Sequence, residues 1–96
     1  MASSVEYKDY ILEQLSLLDS ITCKKMMGEY LLYNDGLLFG GIYDNRLLIK
    51  KTKTNEKFKM NEQFPYKGAK KMCFVDEIDD KKILNQIVIE TCKGLK

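Results

Sequence analysis

Between residues 24 and 51 the chain reads KKMMGEYLLYNDGLLFGGIYDNRLLIKK, with short apolar runs set against turn-forming residues at close, regular spacing. Asn34-Asp35-Gly36 divides Tyr30-Leu31-Leu32-Tyr33 from Leu37-Leu38-Phe39. Asp44-Asn45 divides Gly40-Gly41-Ile42-Tyr43 from Leu47-Leu48-Ile49. Asn, Asp and Gly tolerate the left-handed backbone of tight hairpins, so two such turns join at least three strands in a meander. Within it, Gly40-Gly41 removes two adjacent side chains, a loss expected where another element, here a helix, approaches the sheet closely.

The flanks read as helices. Ser3-x-x-Glu6 matches a capping box, so a first helix is expected from Ser3 or Ser4, with Tyr7, Ile11, Leu15 and Leu18 on one stripe. Asp19-Ser20 interrupts that stripe, and the β-branched Ile21-Thr22 opens a first strand running to about Met27. After Lys51 the pattern turns polar, and residues 54–58 fit a short helix of two turns. Pro65, the sole proline, ends that segment. Residues 67–71 then form a loop and Met72-Cys73-Phe74-Val75 a last strand. The final helix is expected to be capped by Asp79 and stapled by Ile78 and Ile83, with Ile83, Leu84, Ile87, Val88, Thr91 and Leu95 buried and Gly94 as its stop. Strands in the middle and helices at the ends imply an α+β fold. Its layer of about five mostly antiparallel strands is flanked by N- and C-terminal helices and a short middle helix.

A chain of 96 residues suffices for one core, so residues 1–96 are expected to form a single domain. No apolar run approaches the ~20 residues of a bilayer span. The N-terminus has no basic segment followed by an apolar one, so the expected location is cytoplasmic, with no membrane partner. Cys23, Cys73 and Cys92 fit neither a disulfide framework nor a zinc pattern and are expected to be reduced, buried small hydrophobes.

A net charge of +2 conceals an uneven distribution. Residues 46–71 carry nine basic side chains (Arg46, Lys50, Lys51, Lys53, Lys57, Lys59, Lys67, Lys70, Lys71) against two acidic ones, Glu56 and Glu62. Clustered cations raise the local potential and suit a polyanionic or acidic partner, although a solvated lysine face reads the same way. Histidine is absent, which removes the usual acid and base of neutral-pH catalysis. Asp35 and Asp44 suit turns; Asp76, Glu77, Asp79 and Asp80 suit a helix start as well as a hard cation. Tyr30, Tyr33, Tyr43 and Tyr66 are expected to pack in or beside the core, with base stacking as the alternative. Alternation sends Lys24 and Lys25 to opposite faces of their strand. No catalytic, metal-binding or cofactor constellation is expected.

Lys24-Lys25-Met26-Met27-Gly28-Glu29-Tyr30-Leu31-Leu32-Tyr33-Asn34-Asp35-Gly36 resembles the signature of the N-terminal domain of TfoX, also called Sxy, a bacterial competence regulator family. Phe39 through Lys50, and Pro65-Tyr66-x-Gly68-Ala69-Lys70-x-Met72, are similar to two further blocks of that family in the same order. Met27 and Glu29 stand where the family tends to have Phe and Gly. The resemblance implies an α+β domain with a regulatory role in transcriptional control of DNA uptake genes, in concert with the cyclic-AMP receptor protein.

The expected function is therefore a non-enzymatic regulatory domain with a macromolecular partner, a transcription factor or nucleic acid. Lys24, Arg46, Lys50, Lys51, Lys70 and Lys71 are the expected contact residues. The alternative is a small-molecule-binding protein or small enzyme with a pocket behind Gly40-Gly41, using Cys73 or Tyr66. An open sheet edge also leaves a homodimer available through strand addition.

Overall fold

A computed structural model describes residues 3–96 of the chain. Six strands form one antiparallel sheet: β1 (Ile21–Met26), β2 (Glu29–Asn34), β3 (Leu37–Ile42), β4 (Leu47–Ile49), β5 (Asn61–Gln63) and β6 (Met72–Phe74), in the spatial order β1-β2-β3-β4-β6-β5. Helices α1 (Val5–Gln14) and α2 (Lys81–Leu95) bracket them in sequence, giving the expected α+β fold with one strand more than expected. The additional strand, β5, is Asn-Glu-Gln at the sheet edge, paired only with β6. With few apolar residues to bury there, it carries no alternation that a sequence pattern reveals.

The meander follows from its turns. Met27 and Gly28, Asp35 and Gly36, and Asp44 and Asn45 all have positive φ, the left-handed pairs that two-residue hairpins demand. Met27 closes the first hairpin, so β1 ends at Met26. Between β2 and β3 the register shifts after Leu32, so that Leu32 faces Gly40 and Tyr33 faces Leu38, with Phe39 as the extra residue of a bulge. A Cβ on Gly40 would collide with the carbonyl of Leu48 and lie 2.8 Å from the Cα of Ile49; one on Gly41 would lie 2.6 Å from the carbonyl oxygen of Tyr30 and 2.8 Å from the Tyr43 ring. The tightest contacts at these glycines are with neighbouring strands and a tyrosine, and α2 also packs closely against the strand that carries them.

Both helices cover the same face of the sheet. Ile11 and Leu15 from the first helical segment and Leu84, Ile87, Val88 and Cys92 from α2 meet Leu32, Phe39, Ile42, Leu47 and Ile49 in one buried cluster. Each such side chain withdrawn from water contributes on the order of 1.5–3 kcal/mol. Ser4, not Ser3, caps α1 by accepting from Tyr7 N–H at 3.1 Å, so the Ser3–Glu6 box does not form. The helix also ends at Gln14; Leu15 to Leu18 close in tight turns that still bury Leu15 and half-bury Leu18.

Likewise Asp80, in place of Asp79, caps α2 through Ile83 N–H, while Asp79 accepts from the Tyr10 hydroxyl. Ile83 is 37 % exposed and does not belong to the buried face. Ile87, which is buried, occupies that face one turn further on.

A polar clamp that no periodicity signals fixes the long connection after β4. The expected two-turn helix is a single 3-10 turn, Glu56–Phe58, and the buried Asn55 precedes it. The Asn55 amide donates to Lys50 O at 2.9 Å and to Thr91 Oγ1 at 2.8 Å, and its oxygen accepts from Thr52 N–H at 3.0 Å. Thr54 Oγ1 donates to the carbonyl of Glu90. Gly94 is inside α2, not beyond it: a Cβ there would lie 2.7 Å from the Cβ of Thr52 and closer still to Thr54 Oγ1.

The clamp therefore reverses the sign of a common substitution. Helix propensity alone favours Gly94→Ala by about 1 kcal/mol. Displacing Thr52 and Thr54 from their bonds is expected to outweigh that gain, leaving Gly94→Ala less stable by about 1–2 kcal/mol in a denaturant melt.

Candidate functional site

Among the described residues, no helix packs on the sheet face away from α1 and α2. Alternation places Leu31, Gly41, Leu48 and Phe74 on it, paired across the strands as Leu31 with Gly41, Gly41 with Leu48 and Leu48 with Phe74. Leu48 is fully buried yet lies outside the helix-side cluster. Its cover comes from the chain itself: the Tyr43 ring lies against Gly41, and Tyr66, in the loop over residues 64–71, packs on Tyr43 with ring centroids 6.2 Å apart.

Arg46 holds that loop down. Its Nη1 donates to Gln63 Oε1 at 2.8 Å and to Phe64 O at 3.1 Å, its Nη2 to Pro65 O at 3.4 Å, and its Nε to Tyr43 O at 3.2 Å. The planar fork suits this use, because five donors in fixed directions can bridge two backbone segments that an ammonium could only touch at a point. Pro65 is buried beneath the loop, while Phe64 and Tyr66 remain exposed.

Between loop and sheet lies a cleft of about 590 Å³. Leu38, Met72, Pro65, Ala69 and, from the end of α2, Leu95 give it an apolar lining, and Tyr43 and Tyr66 contribute hydroxyl-bearing rings. Lys50, Lys51, Lys70 and Lys71 also line it, and no carboxylate side chain does. The register explains how two lysine pairs so far apart in sequence converge. β4 pairs antiparallel with β6, Leu48 opposite Phe74 and Ile49 opposite Cys73, so continuing the ladder sets Lys50 level with Met72 and Lys51 level with Lys71.

Their environments differ. Lys51 shares the face of Ile49, Cys73 and Glu62, and its Nζ pairs with Glu62 Oε2 at 3.2 Å, the contact that holds its ammonium above the ordinary lysine pKa. Lys71 stands over the Phe64 ring at 5.4 Å, a cation–π geometry. Lys50 and Lys70 have no carboxylate partner among the described residues. Burial, and then Tyr66, Glu29 and Tyr33, push the Tyr43 phenol above its ordinary value.

Four of the six expected contact residues thus meet at one cleft. Arg46 supports it from behind, its guanidinium committed to internal acceptors. Lys24 stands apart on β1 at the far edge of the sheet, opposite Leu31. Tyr66 and Gly40 line the cleft together, but Cys73 does not: it is buried beside a smaller hollow with Lys51, Asn55 and Glu62, and burial raises its thiol pKa, the opposite of activation. Leu38, Tyr43 and Met72 escape a reading by composition, and only the strand register brings them in. Among the described residues no group of three or more His, Cys, Asp or Glu is placed to hold a metal ion, and no helix is long and apolar enough to cross a membrane.

Fold and site together define a small α+β domain with both helices packed on one sheet face and a lysine-lined cleft beside the loop over residues 64–71. The family model for the TfoX N-terminal domain matches residues 13–91, and the chain belongs to that family. It is similar to a protein of Spirochaeta aurantia described as an uncharacterized 12.7 kDa protein in the trpE 5' region, 32 % identical over 80 residues, which cover 81 % of this chain and 70 % of that protein. No solved structure matches the chain significantly.

Arg46→Ala tests the support assigned to the guanidinium. It leaves Gln63 to Pro65 without their donor, and hydrogen bonds to charged groups contribute about 1.5–3 kcal/mol when well shielded, less at a half-exposed position such as this. Amide exchange over residues 63–71 is expected to quicken severalfold while the β2–β3 ladder keeps its protection. Equal loosening of both segments would show that Arg46 serves global stability alone.

Proposed function

We propose that the chain is a non-enzymatic, cytoplasmic regulatory domain that acts in transcriptional control, binding a transcription factor or nucleic acid through the basic cleft. The observation that supports this most is the convergence of Lys50, Lys51, Lys70 and Lys71 on one concave surface lined by no carboxylate side chain. Such a surface concentrates positive potential where low-dielectric walls focus it, which favours encounter with a negatively charged partner. Membership of the TfoX N-terminal domain family agrees with a regulatory role. The cleft offers no histidine, carboxylate pair or activated thiol from which a reaction would be built.

A second reading is favoured by the shape of the site. A cavity of about 590 Å³ is within the range that encloses a small ligand. A small anionic effector would then set the state in which the domain meets its partner.

Reversing charge at Lys50, Lys51, Lys70 and Lys71 to Glu tests the main reading. Purified wild-type chain is expected to retain an identified transcription factor or DNA from native extract at low salt. The quadruple variant, shown by circular dichroism to be folded, is expected to lose it. Retention of the same partner by both proteins would sink the proposal.

A further inference from the structure

We propose that the cleft binds a nucleotide unit, its phosphate held by the lysines and its base laid against Tyr66. This rests on the reading that the cleft is the contact surface of the domain, and it names the chemistry the surface takes.

The cationic part is divided in a way that suits a phosphate. Lys51 is engaged by Glu62 and Lys71 stands over the Phe64 ring, so the uncommitted charge at the cleft comes chiefly from Lys50, just after β4, and from Lys70 in the loop. Lysines from two segments that line one cleft can hold an anion with several oxygen acceptors, each ammonium acting as a compact point charge with three donors.

The second part is aromatic. Tyr66 is 63 % exposed although its ring meets Tyr43 at an interplanar angle of 51°, so much of the ring surface remains open beside the lysines. A tilted neighbour fixes the ring without covering it, which is what a stacking platform requires. Leu38, Met72, Pro65 and Ala69 continue the uncharged lining between ring and lysines, where a sugar or base edge would rest. An acidic protein segment would satisfy the lysines but would leave both the open ring and the concavity unused. A nucleotide uses all three, at a size the cavity accommodates.

The same chemistry is available from a free nucleotide or from one residue of a single strand threading an open cleft, and the test separates them. The chain, purified free of nucleic acid, is titrated at low and high salt with AMP, ATP, inorganic triphosphate and a ten-residue oligothymidylate, alongside Tyr66→Ala, Tyr66→Phe and the double variant Lys70→Gln/Lys71→Gln. At least one nucleotide-bearing probe is expected to bind. Tyr66→Ala should weaken that binding roughly tenfold. Tyr66→Phe should preserve it, and the lysine variant should both weaken it and flatten its salt dependence.

Binding by AMP or ATP identifies a free nucleotide, and binding by the oligomer alone a single strand. Triphosphate binding equal to that of ATP, with no effect of Tyr66→Ala, would overturn the proposal in favour of a plain anion site. Failure of every probe, while wild-type chain still captures a partner that the quadruple charge reversal loses, would overturn the nucleotide and leave the contact surface standing. Failure of both experiments would remove both.

Discussion

One guanidinium gives the open face of this domain its shape. The loop over residues 64–71 lies on the sheet because Arg46 reaches from the β3–β4 turn to Gln63, Phe64 and Pro65 while its Nε ties back to Tyr43. That brings Pro65 under cover and sets Tyr66 against Tyr43, which in turn can lie flat only because Gly41 has no side chain. Lys70 and Lys71 arrive at the cleft as a consequence of where the loop is pinned. A charged side chain from the most basic segment of the chain thus acts as structure, and the cations left for outside contact are those it positions.

The helix-side face works by a different principle. There, apolar area does most of the work, and polar groups enter only as a closed set: Asn55, Thr52, Thr54 and Thr91 satisfy one another and the backbone of Lys50, Ile87 and Glu90. Such a network is favourable only when nearly every member is paired, and this one locks the end of β4 to α2. A comparable closure occurs at the N-terminus. Glu29 accepts from the backbone N–H and hydroxyl of Ser3 and from Asp44 N–H, joining the first hairpin, the start of α1 and the β3–β4 turn. The turn that carries Arg46 is therefore braced from both sides.

The fold was largely legible from punctuation. Asn34-Asp35-Gly36 and Asp44-Asn45 sit where the backbone must take positive φ, and the apolar runs between them have no other way to pair. What escaped is governed by partners distant in sequence. β5 is a strand only because β6 offers it a ladder, Gly94 is helical because two threonines need the space, and Asp80 caps α2 in place of its neighbour because Asp79 meets Tyr10. The charge pattern did mark Lys50, Lys51, Lys70 and Lys71, which line one cleft. It could not separate them from Arg46, which is spent internally, because charge counting has no register; Lys24 lies outside that basic segment, and the meander carries it to the opposite edge.

If the cleft is the contact surface, positive potential is focused there and not spread evenly over a lysine-rich surface. Paramagnetic relaxation of backbone amides by a soluble anionic chelate, corrected with a neutral chelate of the same size, reads that potential residue by residue. The excess is expected to be greatest at Lys50 and residues 66–72, well above that at Lys24, Lys25, Lys57 and Lys59. An excess shared equally among all these lysines, or greatest at the β1 edge, would contradict it.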